Sequence, residues 1–295
     1  MNGGFVPVYV QRASPLHSAR AGATAGLCAA FALVCALFEH PLVLLSVLVG
    51  VLGTAAAAGV GPQLVRSAKL GIPLAILIAV INPLVYQEGD TLLIRGGQVL
   101  GRRFDVTLEA LAAGGLAGFR VIAFLMAFGL FSACVDPDEM LRLFRRVSYR
   151  SALTAALATR LVPVLARDAL RMGDAARCRP TPPGRLAVTR AALSGALDRA
   201  VDVAAALEVR GYSAAAKPRR ARRPWSRHDA RVAGAAVLVA GAALTLAVAG
   251  AAEVEQYPRL EVAFGMAEGA LCGLILLGAA IPFLGRSARL GVTRA

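Results

Sequence analysis

Acidic residues, histidine and tryptophan are scarce in this chain. Of 295 residues, 18 are Asp or Glu against 32 Lys or Arg, with three His and one Trp. The shortage narrows the chemistry. His17, His40 and His228 lie far apart in sequence, with no metal-ligand spacing, and read as loop residues. No HExxH, Ser-His-Asp arrangement or clustered acid pair is present, and there is no GxxxxGK[ST] loop to cradle nucleotide phosphates. Five cysteines, Cys28, Cys35, Cys134, Cys178 and Cys272, contain no CxxC pair. Most sit in apolar runs, where small core thiols are expected rather than disulfides or metal ligands. A non-catalytic chain without cofactor or bound metal is the expectation. Residues 1–20 lack the ordered charge, apolar and cleavage regions of a signal peptide.

Apolar residues are abundant instead. They make up 57% of the chain and give a mean hydropathy of +0.64, well above an ordinary soluble domain. The net charge of +14 is carried almost wholly by Arg. A nucleic-acid binder would need a soluble basic face. Here the charge is confined to gaps between apolar runs, so the chain reads as an all-α polytopic membrane protein in the cell membrane, with the bilayer rather than nucleic acid as its partner.

Runs over about 21–38, 41–60, 70–85 and 108–134 approach the ~20 residues a spanning helix needs. Glu39-His40-Pro41 and Gly61-Pro62 separate the first three. Pro73, Asn82 and Pro83 predict a kink or early end in the third. Residues 87–105 are polar, with Leu92-Leu93-Ile94 before Gly96-Gly97 suggesting a small hairpin. Arg120 lies inside the fourth run, where a charge is costly and needs a partner; a structural tie is favoured over a substrate role. Two further runs, about 232–251 and 262–284, precede a tail with Arg286, Arg289 and Arg294. About six spans with both termini cytoplasmic satisfy the positive-inside rule, and residues 135–230 then form a cytoplasmic subdomain between spans four and five. The expected division is 1–134, 135–230 and 231–295.

Asp136-Pro137-Asp138-Glu139 has the composition of a helix start. Met140, Leu141, Leu143 and Phe144 alternate with Arg142, Arg145 and Arg146, predicting a short amphipathic helix at the membrane surface. Two longer helical segments follow, Arg150 to Pro180 and Arg185 to Ser213, separated by Thr181-Pro182-Pro183-Gly184. Leu153, Leu157, Leu161, Val164 and Leu165 recur on one face of the first. Leu186, Leu193, Leu197, Ala200, Ala204 and Leu207 do so on the second, and the two faces are expected to pack together. Arg160, Arg167, Arg171 and Asp174 form a charged stripe, which on periodicity alone is a solvated face. Ala176-Arg177-Cys178 and Val209-Arg210-Gly211 end the two segments.

Several stretches together resemble the T component of energy-coupling factor transporters, the EcfT/CbiQ family of membrane scaffolds. They are Ser14-Pro15-Leu16-His17, Phe38-Glu39-His40-Pro41-Leu42, Ile81-Asn82-Pro83-Leu84, Asp136 to Met140, Thr159-Arg160-Leu161-Val162-Pro163, Asp198 to Tyr212, and Arg222 to Asp229. The family carries two Ala-Arg-Gly-type motifs at the ends of coupling helices. Here they fall on Ala176, Arg177, Cys178 and on Val209, Arg210, Gly211, with Cys in place of Gly at the first and Val in place of Ala at the second. The resemblance implies a non-catalytic coupling subunit of an importer for a vitamin or a transition metal. Its implied partners are two ABC-type ATPases, which hydrolyse ATP, and a membrane-embedded S component, which binds substrate. Two other readings stay open. One is a self-sufficient channel or transporter with Arg120 and Asn82 on its path. The other is a membrane-anchored regulator binding anionic partners through Lys217 to Arg227, a run better explained as a headgroup contact with Trp225 as interface anchor.

Overall fold

The structure is a computed structural model and describes Tyr9, Arg12 and residues 14–85, 92–94, 98–99, 102–103, 106–144, 149–181, 183–211, 224–249 and 265–284. The expectations for Lys217 to Arg223, for the tail arginines and for the cleavage-site question lie outside the described residues. The described chain is helical apart from two small strand pairs. Helices α1 (Pro15–Ser18), α2 (Ala21–Leu37), α3 (Pro41–Ala58) and α4 (Gly61–Val85) lead into strands β1 (Leu92–Ile94), β2 (Gln98–Val99), β3 (Arg102–Arg103) and β4 (Val106–Thr107). Helices α5 (Leu108–Cys134), α6 (Pro137–Phe144), α7 (Tyr149–Arg177), α8 (Arg185–Val209), α9 (Arg227–Val248) and α10 (Met266–Ala280) complete it. Among the described residues, five segments are long and apolar enough to cross a membrane, four within α3, α4, α5 and α9 and one, Met266–Phe283, formed by α10 and the 3-10 turn after it. The sixth apolar helix, α2, has 17 residues, the lower end of the usual ~17–25. The chain is an all-α, multi-pass membrane protein.

It divides into two compact units, one of residues 1–140 and 225–295 and one of residues 141–224. In the first, α2 packs on α9, α5 and α3. Leu27, Phe31 and Val34 of α2 are fully buried, with Val43 and Val47 of α3, Leu130 of α5, Val239 of α9 and Ile275 of α10. Buried hydroxyls are satisfied locally, as hydrocarbon demands: Ser46 Oγ donates to the Val43 carbonyl at 2.7 Å and Thr54 Oγ1 to Val51 at 2.9 Å.

Helix α4 differs from the sequence expectation. It starts at Gly61 rather than near residue 70, so Arg66 and Lys69 are part of the helix, and Pro73 sits inside it. It lies against α5 almost backbone to backbone. A β-carbon at Gly118 would come 2.8 Å from the Ala75 carbonyl oxygen, and one at Gly114 3.0 Å from that of Ala79. Small residues of this kind let helices approach where lipid supplies no hydrophobic drive for association. Asn82 packs on Gly114 in the same seam.

Arginines close three helix ends. Helix termini leave carbonyls unpaired, and guanidinium both donates to them and complements the negative end of the dipole. Arg120 Nε donates to the Cys35 carbonyl at 2.7 Å, a second guanidinium nitrogen bonds Ala36, and Nη1 pairs with Glu39 at 2.6 Å. Because α2 is short, its last carbonyls fall beside the interior of the longer α5, and the charge at position 120 meets them there. Arg120 is thus a structural tie. Arg12 bonds Gly59 at the end of α3, and Arg231 donates to Leu284 at 2.7 Å beyond α10.

The connection before α5 is a nested pair of antiparallel strands: β1 with β4, and β2 with β3 inside it. The expected hairpin therefore reaches as far as Thr107, whose hydroxyl caps α5 by accepting from the Ala110 amide at 3.3 Å. The three histidines are built into helix ends rather than free loops. His17 is hydrogen-bonded to Ser14 at 2.6 Å, His228 Nε2 donates to the Pro15 carbonyl at 2.7 Å, and His40 is buried where α3 begins.

Candidate functional site

Asp136 starts α6 as its sequence suggests: its carboxylate accepts from the Asp138 amide at 2.9 Å, with Pro137 in the first turn. Helix α7 then runs to Arg177 with Pro163 in its interior. The chain then reverses, and α8 begins after Gly184.

Two contacts set the register of α7 on α8. Arg199 Nη1 pairs with Asp168 Oδ2 at 2.6 Å, and the Met172 methyl lies 3.7 Å from where Gly195 would carry a β-carbon. Moving forward along α7 is moving backward along α8, so the pair is antiparallel. Leu153, Leu157, Leu161, Val164 and Leu165 are half-buried, as their spacing predicts. The expectation for α8 needs correction. Its half-buried face is Val188, Ala192, Gly195, Ala196, Arg199, Val203 and Leu207. Leu186, Leu193 and Leu197 are 66%, 64% and 68% exposed. Small residues bring the helices close, and the neighbouring leucine stripe is left outside. Of that stripe only Leu207 turns inward. Asp168 and its bond to Arg199 were not foreseen, because no local pattern joins charges 31 residues apart.

The candidate residues sit at helix ends. Ala176 is half-buried, whereas Arg177 and Cys178 are exposed. The end of α7 closes through an i→i+3 bond from the Arg179 amide to the Ala176 carbonyl at 3.3 Å. Arg177 Nη1 is 3.5 Å from Asp174 Oδ1, with the two side chains 83% and 75% exposed. Such a surface pair is worth little and is easily exchanged for a better one. Val209 is 90% exposed. Arg210 caps α8, and Gly211 follows at φ +76°, its amide bonding the Glu208 carbonyl at 2.8 Å. This left-handed closure suits glycine because a β-carbon would be strained there. Arg210 makes no ion pair among the described residues. The two arginines are not brought together. At ~1.5 Å per residue, Arg177 lies about 13 Å beyond Asp168 one way and Arg210 about 17 Å beyond Arg199 the other, roughly 30 Å apart.

Among the described residues no group of three or more His, Cys, Asp or Glu is placed to hold a metal ion. Helices long and apolar enough to cross a membrane, together with an antiparallel helix pair that carries exposed arginines at its ends, make this a multi-pass membrane protein. The chain belongs to the CbiQ family, described as cobalt transport protein, whose model matches residues 13–220. That span takes in α2 through α8 and both arginine sites. No curated protein matches the chain.

Proposed function

We propose that the chain is the coupling subunit of an energy-coupling factor importer. The observation that carries this reading is the pair of exposed arginines at opposite ends of one antiparallel helix pair. Each guanidinium docks in one of two ABC-type ATPases and binds a carboxylate there. Arg suits the task because it stays charged and bonds bidentately. Asp174 holds Arg177 only loosely in the meantime. Closing of the ATPases displaces the helix ends, and α7 and α8, stiffened by the Asp168–Arg199 pair, carry the displacement. The exposed leucines of α8 offer an apolar face to the S component, which selects the vitamin or the metal. ATP is hydrolysed in the partners.

Charge orients the protein. The bundle end that holds Arg12, Arg20, Arg66, Lys69, Arg227 and Arg231 faces the cytoplasm with both termini, and the β-strand connection faces outward. Residues 135–230 form the cytoplasmic coupling segment between residues 1–134 and 231–295.

Co-purification of the ATPases with Arg177→Ala, Arg210→Ala and the double variant tests the reading. Removing one side of a desolvated ion pair costs about 2–5 kcal/mol. Each single variant should therefore weaken ATPase retention, and the double variant should abolish it together with ATP-driven uptake. Lys at either position should rescue in part, keeping the charge and losing the fork. Full ATPase binding and transport by the double variant would return both residues to the status of solvated helix ends.

A further inference from the structure

The 141–224 unit is joined to the rest of the chain at two places, through α6 on the way in and through residues 224–226 ahead of α9 on the way out. Both connections are fastened to the same two residues, Arg20 and Ala21, where α2 begins. On the way in, Glu139 Oε2 accepts the Ala21 amide at 3.1 Å. On the way out, Asp229 Oδ1 accepts the Arg20 amide at 2.8 Å, its Oδ2 lies 3.6 Å from Arg20 Nε, and the guanidinium sits 5.3 Å over the Trp225 ring. Asp229 is fully buried and shares its second oxygen with the Ser226 amide at 3.1 Å, in a capping box that fixes the start of α9.

Position 20 is the N-cap of α2, yet its own side chain makes no cap. The first amides of α2 are taken instead by carboxylates from two other helices, which also meet the positive end of its dipole. This arrangement is costly unless both acids are held in place, because a buried carboxylate must keep its partners. Helix α2 packs on α9, α5 and α3, so whatever moves its first turn is felt by all three.

We propose that Arg20 and Ala21 form a single pivot through which motion of the 141–224 unit enters the bundle. Arg20, Glu139 and Asp229 are its positioning residues. The pivot rests on the coupling reading above. Force on either connection arrives at the same turn of α2, and is passed by α2 to the helices it packs on rather than by α5 or α9 separately.

The test uses the full chain in lipid nanodiscs with the ATPases and S component that co-purify with it. Hydrogen exchange of amides 21–24 is compared with and without a non-hydrolysable ATP analogue. In the unmodified complex the analogue should change their exchange by at least about threefold, a local-stability response. Glu139→Ala combined with Asp229→Asn should keep the ATPases bound and lose that response, whereas Arg20→Lys, which keeps the charge facing Asp229, should retain it. Where the double variant does not assemble, Glu139→Ala alone cuts only the way in and should diminish the response. An unmodified complex with bound ATPases and no change at 21–24 overturns the pivot, as does an undiminished response in the Glu139→Ala or double variant. An unmodified chain that retains no ATPase overturns the coupling reading itself, and the pivot with it.

Discussion

Gly118 and Gly115 lie one turn apart in α5 and differ in one respect. A β-carbon at Gly115 meets nothing within 4 Å, whereas at Gly118 it falls 2.8 Å from the Ala75 carbonyl oxygen and 3.4 Å from the Ala75 Cα. Gly→Ala gains helix propensity of about 1 kcal/mol at either position. The difference between the two variants cancels that gain and isolates the packing cost. A backbone oxygen has no rotamer to escape into, so α4 must part from α5 locally, an overpacking penalty of about 1–3 kcal/mol. Helix α5 is the main neighbour of α4, with α3 and β4 touching it more lightly. Thermal unfolding in detergent, followed by a thiol-reactive dye, reads the cost through the buried Cys28, Cys35 and Cys134, with the exposed Cys178 replaced by Ser. At about 2–4 °C per kcal/mol, Gly118→Ala should melt roughly 2–12 °C below Gly115→Ala. Equal melting temperatures would refute the backbone-to-backbone seam.

Three other outcomes follow from the same contacts. Arg120→Met should cost about 1–3 kcal/mol, chiefly by leaving the Cys35 and Ala36 carbonyls unbonded. Glu39→Ala, which removes the half-exposed ion pair and leaves the guanidinium on the carbonyls, should cost under about 1 kcal/mol in the same melt; equal losses would place the stability in the pair instead. Leu197→Asp should leave the α7–α8 pair folded by limited proteolysis while reducing S-component capture, whereas Val203→Asp, on the packed face, should expose both helices to cleavage. If Leu197→Asp opens the pair as readily, the assignment of faces is wrong. The Tyr9 phenol is raised above its ordinary value, by burial first and then by the charges of Asp136 and Glu139. Folding therefore favours the protonated form: its contribution is whole below the ordinary phenol value and is lost as pH rises through the raised one. An ultraviolet difference titration against Tyr9→Phe should show that late ionisation, and a phenol titrating at or below the ordinary value would contradict the Tyr9 environment.

Most helix boundaries were legible because the chain punctuates them with residues that act locally. Pro41, Pro183-Gly184, Asp136 before Pro137, and Gly211 after α8 each fix the nearby backbone by their own chemistry. Position 61 was misleading for a related reason. Gly61-Pro62 reads as a break, yet proline in the first turn of a helix costs nothing because no amide is needed there, so Arg66 and Lys69 continue α4. Contacts between distant segments were not legible. The charge at Arg120 predicts a partner without naming it. Which face of α8 packs could not be read either: leucine marked the expected face, and shape selected alanine and glycine.

The antiparallel pairing of α7 and α8 has a geometric consequence. Two fixed points on a rigid helix pair act as a gauge, with both spacing and angular phase set by residue count. One residue inserted in α8 between Arg199 and Arg210 would rotate the second guanidinium by about 100° while lengthening the span by only about 1.5 Å. Seven inserted residues would nearly restore its direction and add about 10 Å. Partners that tolerate the longer insertion better than the shorter one read direction; partners that reject both read distance as well. The unbroken stretch from Arg199 to Val209 thus carries dimensional information that no single side chain in it expresses.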